Sequence, residues 1–149
     1  MDRVKGYGEA FAEEDYVTVC FDFCGGGWAS RSGGALLDMS VLTEKADLEA
    51  VLEEVKQWDF VDIGSIYLMG NSQGGLVTAL AAAEHKEEIR AVILIYLAFC
   101  IYDDVHAMFD LPEEIPETHS LLGRRLGNRY FVDIWEQILI WRFLISGIF

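Results

Sequence analysis

The spacing of apolar residues changes period several times along the chain. Val4, Tyr7 and Phe11 recur at three- and four-residue steps, which predicts a short amphipathic helix over 3–14. Residues 16–23, YVTVCFDF, carry the β-branched and aromatic content of a strand. The glycine-rich run CGGGWASRSGG then reads as a loop. Over 43–58 the helical period returns, with Leu48, Val51, Leu52 and Val55 as the buried stripe, Thr43 as the cap and Asp47 near the front. IYLMG, 66–70, is a short continuous apolar strand that runs straight into NSQGG and an alanine-rich helix over 76–83. Small residues there let a helix lie close on a sheet. A third strand is predicted over 91–100. From 101 to 137 the periodicity dissolves into polar-aromatic pieces holding both prolines, Pro112 and Pro116, and 138–149 has the apolar density of a further strand.

Strand, helix, strand, helix, strand is the order of an α/β fold with a parallel sheet carrying helices on both faces. The 149 residues fit one domain. Composition narrows the function. With 25 Asp and Glu against 11 Lys and Arg the formal net charge is −14, and Arg124, Arg125 and Arg129 are the only close basic group. Binding of nucleic acid needs clustered cations and is not expected. At 52% hydrophobic the chain is too apolar to stay disordered. Cys20, Cys24 and Cys100 have no metal-ligand spacing and are expected as buried free thiols in a reducing compartment. The acidic N-terminus does not resemble a secretory signal, and the charge-free apolar run 91–102 is shorter than the about 20 residues of a membrane span. A cytoplasmic protein without a membrane segment is the expectation.

Gly70-Asn71-Ser72-Gln73-Gly74 fits G-x-S-x-G and joins a predicted strand to a predicted helix, the context that gives this motif chemical meaning. A serine on so tight a turn projects its hydroxyl outward, and glycines two residues to either side leave room for the strand and helix to pass. The turn also sets Ser72 at a helix N-terminus, where the Gln73 N–H is the first backbone donor available to the oxyanion of a tetrahedral acyl intermediate. The alternative is a turn that only permits close packing or binds an anion. CGGGW lacks the spacing of a dinucleotide or phosphate loop, and no His/Asp/Glu spacing points to a metal. No cofactor is implied.

FDF followed by the glycine-rich loop, the helix with Asp47, IYLMGNSQGGLVTALAA and AVILIYLAF together resemble α/β-hydrolase-fold serine esterases. The narrower resemblance is to the bacterial feruloyl/cinnamoyl esterase branch and its serine-aminopeptidase-like relatives, over about residues 7–137. The family usually has His where Asn71 stands. The resemblance implies a single α/β-hydrolase domain over 1–149, incomplete at both ends, with residues 101–137 as a cap-like insertion. It also implies parts without a counterpart here: an upstream His-Gly segment for the second oxyanion donor, and a triad acid and histidine after the cap.

His85 closes the helix after the motif, about 18 Å from Ser72 at 1.5 Å per residue, and is read as a solvated helix end. Asp103, His106 and His119 are the remaining acid and base candidates, with cap surface as the plain alternative. Glu13, Glu14, Asp15, Glu53, Glu54, Glu87 and Glu88 are expected on solvated faces, and Trp28, Trp58, Phe109 and Tyr130 in the core, the last two also as a lining for an aromatic acyl group. The function expected is ester hydrolysis through an acyl-Ser72 intermediate on small acyl or hydroxycinnamoyl esters, impaired in this chain. The rival is a non-catalytic truncated hydrolase or one part of a split protein. Self-association through exposed sheet edges is expected of either.

Overall fold

The computed structural model describes residues 2–26 and 30–145, with side chains described over 4–26 and 30–136. The chain runs α1 (Asp2–Glu13), α2 (Val41–Val55), β1 (Ile66–Asn71), α3 (Gln73–Glu84), β2 (Ile89–Ile95), α4 (Ile101–Met108), β3 (Thr118–Leu121), β4 (Arg124–Gly127) and α5 (Asn128–Ile145), with 3₁₀ turns at Leu36–Asp38 and Pro112–Glu114. β1 and β2 pair in parallel, Tyr67 opposite Ala91 through Asn71 opposite Ile95, with an irregularity between Ile66 and Tyr67. A parallel pair needs a crossover, and α3 supplies it.

One face of β1, carrying Ile66, Leu68 and Gly70, is buried, and the alternate residues are more open. α3 packs on the buried face, and Leu76, Val77, Ala79, Leu80 and Ala81 are almost wholly excluded from solvent. The alanines leave no bulk to hold the helix off the sheet. α2 lies against α3 through Leu48 and Leu52, and Lys45 Nζ, 2.7 Å from both Glu49 and Glu84, ties the two helices at their edge. Tyr130, Phe131 and Ile134 of α5 and Val105 of α4 close the same core. The hairpin β3–β4 turns on Leu122 and Gly123, both at positive φ, the conformation of a two-residue loop matched to strand twist.

Several sequence expectations are corrected. Ser40, not Thr43, caps α2: its side chain accepts from the Thr43 N–H at 3.2 Å while Thr43 Oγ1 accepts from the Ser40 N–H at 2.8 Å, a reciprocal box. Residues 16–23 join no ladder: the Tyr16 N–H donates to Phe11 O and the Phe23 carbonyl accepts from the Gly26 N–H and the Ser30 hydroxyl, local bonds in place of strand pairing. β2 ends at Ile95, where Tyr96 turns to φ +50°, short of Cys100. α5 runs on to Ile145, so 138–145 is helical and no strand; apolar density alone does not separate a buried helix from a strand. The three cysteines are exposed: Cys20 lies in the unpaired segment, and Cys24 and Cys100 lie in turns. Trp28 and residues 146–149 lie outside the described residues. The acidic runs are on the surface as expected, and Trp58 is half-buried, its Nε1 donating to Glu54 at 3.2 Å.

Candidate active site

β1 delivers the chain directly into the turn. Ser72 stands at φ +52°, ψ −125°, in the left-handed half of backbone space that a residue with a Cβ occupies only when its surroundings force it. Its backbone shows what does so. The Ser72 N–H donates to Ile95 O at 2.9 Å, prolonging the ladder to β2. The Ser72 carbonyl accepts from Gly75 N–H at 3.0 Å, Leu76 N–H at 3.3 Å and Ala98 N–H at 3.1 Å. One residue thus joins the strand, the first turn of α3 and the loop after β2.

The turn needs glycine at one flank only. A Cβ on Gly70 would collide with the Gly74 carbonyl and Thr78 Oγ1, whereas a Cβ on Gly74 would meet nothing within 4 Å. The second tight position is Gly75, where a Cβ would come 3.3 Å from Gly70 O and 3.4 Å from Leu97 Cδ2. The sequence expectation that the glycine two residues after the serine makes room is corrected accordingly.

The Ser72 side chain is exposed, and its hydroxyl has no hydrogen-bond partner among the described residues. The Gln73 N–H beside it opens α3 with no acceptor among the described residues. An unpaired donor at the positive end of a helix next to an exposed hydroxyl suits an anion or a developing oxyanion.

The Gln73 side chain turns inward. Its Nε2 donates to Glu44 Oε2 at 2.7 Å and lies 3.7 Å from Met39 Sδ, while its Oε1 accepts from the Tyr130 hydroxyl at 2.9 Å. Glu44 is only 6% exposed, and burial pushes its carboxyl up to about 7; the Gln73 hydrogen bond and the Arg124 charge oppose the rise, and Asp47 adds to it. Burial also raises the Tyr130 hydroxyl well above its ordinary value, with Glu44, Asp104 and Cys100 adding to the rise. Sequence reasoning considered Gln73 for its backbone and passed over Glu44. The signal was present: Glu44, Leu48 and Leu52 follow at four-residue steps, which sets a carboxylate on the buried stripe of α2.

The acid and base candidates are placed elsewhere. Asp103 is exposed in the first turn of α4. His106, one turn on, is sandwiched between Tyr102 at 3.9 Å and a parallel Trp135 at 3.8 Å, its Nδ1–H donating to Tyr102 O at 3.1 Å. That stack joins α4 to α5. His119, on β3, meets Phe109 at 5.2 Å and Phe131 at 5.4 Å edge to face. Among the described residues none of the three hydrogen-bonds Ser72, so the turn brings Ser72 and Gln73 together without them. His85 caps the far end of α3, 3.2 Å from Glu49 and 3.3 Å from Glu88, half-buried and not fully solvated. Phe109 and Tyr130 are core residues, 8% and 2% exposed. No group of three or more His, Cys, Asp and Glu residues that would hold a metal is found among the described residues.

A strained serine between a parallel strand and a buried helix is the geometry against which relatives can be compared. The sequence profile of the alpha/beta hydrolase fold matches residues 5–131. The chain belongs to that family. Its backbone resembles Est1E from Butyrivibrio proteoclasticus with ferulic acid bound, at 30% identity and a TM-score of 0.63, over 84% of this chain and 47% of that one. A second Est1E structure gives 31% identity and a TM-score of 0.59 over 66% and 42% of the two chains. The chain thus spans about half the length of these neighbours. No curated protein matches it significantly. Its membership gives it the alpha/beta hydrolase fold with a parallel sheet, and among the described residues no helix is long and apolar enough to cross a membrane.

Proposed function

We propose that this hydrolase-fold chain is built for serine ester hydrolysis, with Ser72 as nucleophile and the Gln73 N–H as an oxyanion donor. The observation that carries the reading is the exposed Ser72 at φ +52° on the strand-to-helix turn, beside a helical N–H with no acceptor among the described residues. In the first step Ser72 Oγ bonds to the ester carbonyl carbon, the ester C–O bond breaks, and the alcohol leaves with a proton. Water then attacks the acyl-serine, releasing the acid and restoring the hydroxyl. The negative charge on the carbonyl oxygen in each step falls at the start of α3. Ferulic acid in the Est1E structure supports hydroxycinnamoyl esters, alongside small acyl esters, as the substrate class.

A second reading is favoured by a specific observation. His106 and His119 are engaged with aromatic rings, and neither bonds Ser72. Without a base the hydroxyl is a weak nucleophile, and what rate remains comes from oxyanion stabilisation and binding. The chain alone is then slow or non-catalytic. We further propose that it is cytoplasmic, forms one domain with residues 101–137 lying over the site, and self-associates through its exposed sheet edges. Hydrolysis of p-nitrophenyl acetate by the purified chain against Ser72→Ala separates the two readings. A Ser72-dependent rate supports the enzyme, and equal rates in both proteins overturn it for this polypeptide.

A further inference from the structure

The terminal amide of Gln73 is held at both its oxygen and its nitrogen by groups from two different helices. Glu44 reaches it from α2 and Tyr130 from α5, in an unbroken chain: Tyr130 O–H to Gln73 Oε1 at 2.9 Å, Gln73 Nε2–H to Glu44 Oε2 at 2.7 Å. Both outer members are buried, and both hydrogen bonds end on the residue that follows Ser72. Tyr130→Gln73→Glu44 is also ordered chemically. A hydroxyl donates to an amide oxygen, and the amide nitrogen donates to a carboxylate, so each bond polarises the next. We propose that Glu44 and Tyr130 are positioning residues for the Gln73 backbone N–H, holding it beside Ser72 through the clamped side chain, more firmly when Glu44 is ionised.

The asymmetry between the two states of Glu44 follows from its chemistry. An ionised carboxylate receives the Gln73 N–H in a charge-assisted bond, and a protonated one is a weaker acceptor that must also find a place for its own proton. The groups facing Glu44 are Gln73 from α3, Tyr130 from α5, Arg124 from β4 and Asp47 from its own helix; Asp104 and Cys100 at the start of α4 act on Tyr130. Burial places the change of charge at about 7, within reach of ordinary conditions. The inference rests on the proposed reading only where it assigns the N–H a catalytic use. The mechanical link between Glu44 and the Gln73 amide stands apart from it.

The test follows the Gln73 amides by ¹H–¹⁵N NMR of the full chain from about pH 5 to about pH 9, in wild type, Glu44→Gln and Tyr130→Phe. The expected result is that the backbone and side-chain amides of Gln73 move together on one titration near pH 7, that Glu44→Gln abolishes it, and that Tyr130→Phe displaces the backbone amide at every pH. A backbone amide that stays flat while the side chain titrates, or a titration that survives Glu44→Gln, overturns the proposal. If Glu44→Gln does not fold, the wild-type titration and Tyr130→Phe still decide it. A second arm measures labelling of Ser72 by a fluorophosphonate, expected to rise about tenfold through the same pH range in wild type and to lose that step in Glu44→Gln. Labelling that equals the Ser72→Ala background sinks the nucleophile reading alone, and the amide data then judge the clamp.

Discussion

Two apolar segments read as strands in the sequence, 16–23 and 66–70, and only the second becomes one. Residues 66–71 pair with β2 and bury one face under α3. Residues 16–23 are richer in β-branched and aromatic residues and yet join no ladder, leaving Val17 56% and Val19 43% exposed. Their contacts are made by side chains: Tyr16 meets Phe11 of α1 and Tyr67 of β1 edge to face, Thr18 Oγ1 donates to Gly8 O at 3.1 Å, and Phe21 and Phe23 pack half-buried against the core. Strand propensity measures the fit of a side chain to a half-buried pleated surface, and such a surface requires a neighbour. The turn at Ser72 carries its neighbours with it, since the residues on either side of it pack on each other.

The sharpest way to break this contrast is to remove what lets β1 and α3 touch. Gly70→Ala drives a methyl into the Gly74 carbonyl and Thr78 Oγ1, backbone and a buried side chain with no room to withdraw. We expect a loss of about 3 kcal/mol or more in urea unfolding, together with loss of any Ser72-dependent reactivity. A variant as stable as wild type would show that the close approach is not what fixes the turn.

Next in size is the buried carboxyl. Its folded-state value, about 7, lies above the unfolded value near 4.5, so the native state holds more protons than the unfolded chain between those limits. The stabilisation linked to Glu44 is therefore complete below about pH 4.5 and is lost as pH rises through about 7. Glu44→Gln does not titrate. Relative to wild type it should gain about 2 kcal/mol between about pH 5 and about pH 8, read as a difference of urea midpoints, which cancels the other carboxyl groups. A pH-independent difference would mean that Glu44 is charged in the fold across the whole range.

How far these features were legible in the sequence depends on how local their causes are. The serine turn, the helix after it and the parallel pairing were all readable, because motif, alanine content and strand-helix-strand order sit within thirty or so residues of each other. Ser40 as the cap was missed because Ser40 and Thr43 are both good caps, and only their geometry shows the reciprocal box. The Gln73 clamp was missed because its members stand at 44, 73 and 130, and nothing local marks Tyr130 as the partner of an amide 57 positions away. The exposed cysteines were missed because an apolar neighbourhood in sequence does not say which surface covers a side chain, and the helical 138–145 because apolar density alone does not separate a helix from a strand.

A smaller effect tests the two flanks of the turn against each other. Gly74→Ala adds a methyl to open space in the first turn of α3, and no strained backbone angle opposes it. The substitution should raise stability by about 0.5 kcal/mol, since alanine loses less conformational freedom than glycine on entering a helix. Opposite signs at Gly70 and Gly74 would confirm that one glycine of the motif serves packing and the other does not.

The smallest expected change in folding stability belongs to the extended segment, and there the informative quantity is association. Val17 and Val19 are both exposed. Replacing both with Thr removes little burial and should alter the stability of the monomer by less than about 0.5 kcal/mol. If the open backbone and exposed valines of 16–23 pair between copies, wild type should show a mass in light scattering that grows with concentration, and the double variant should shift that growth to higher concentration. A wild-type chain that stays monomeric would count against the proposed self-association. A double variant that lost several kcal/mol would show instead that residues 16–23 are covered within the monomer, and the difference between the two strand-like segments would disappear.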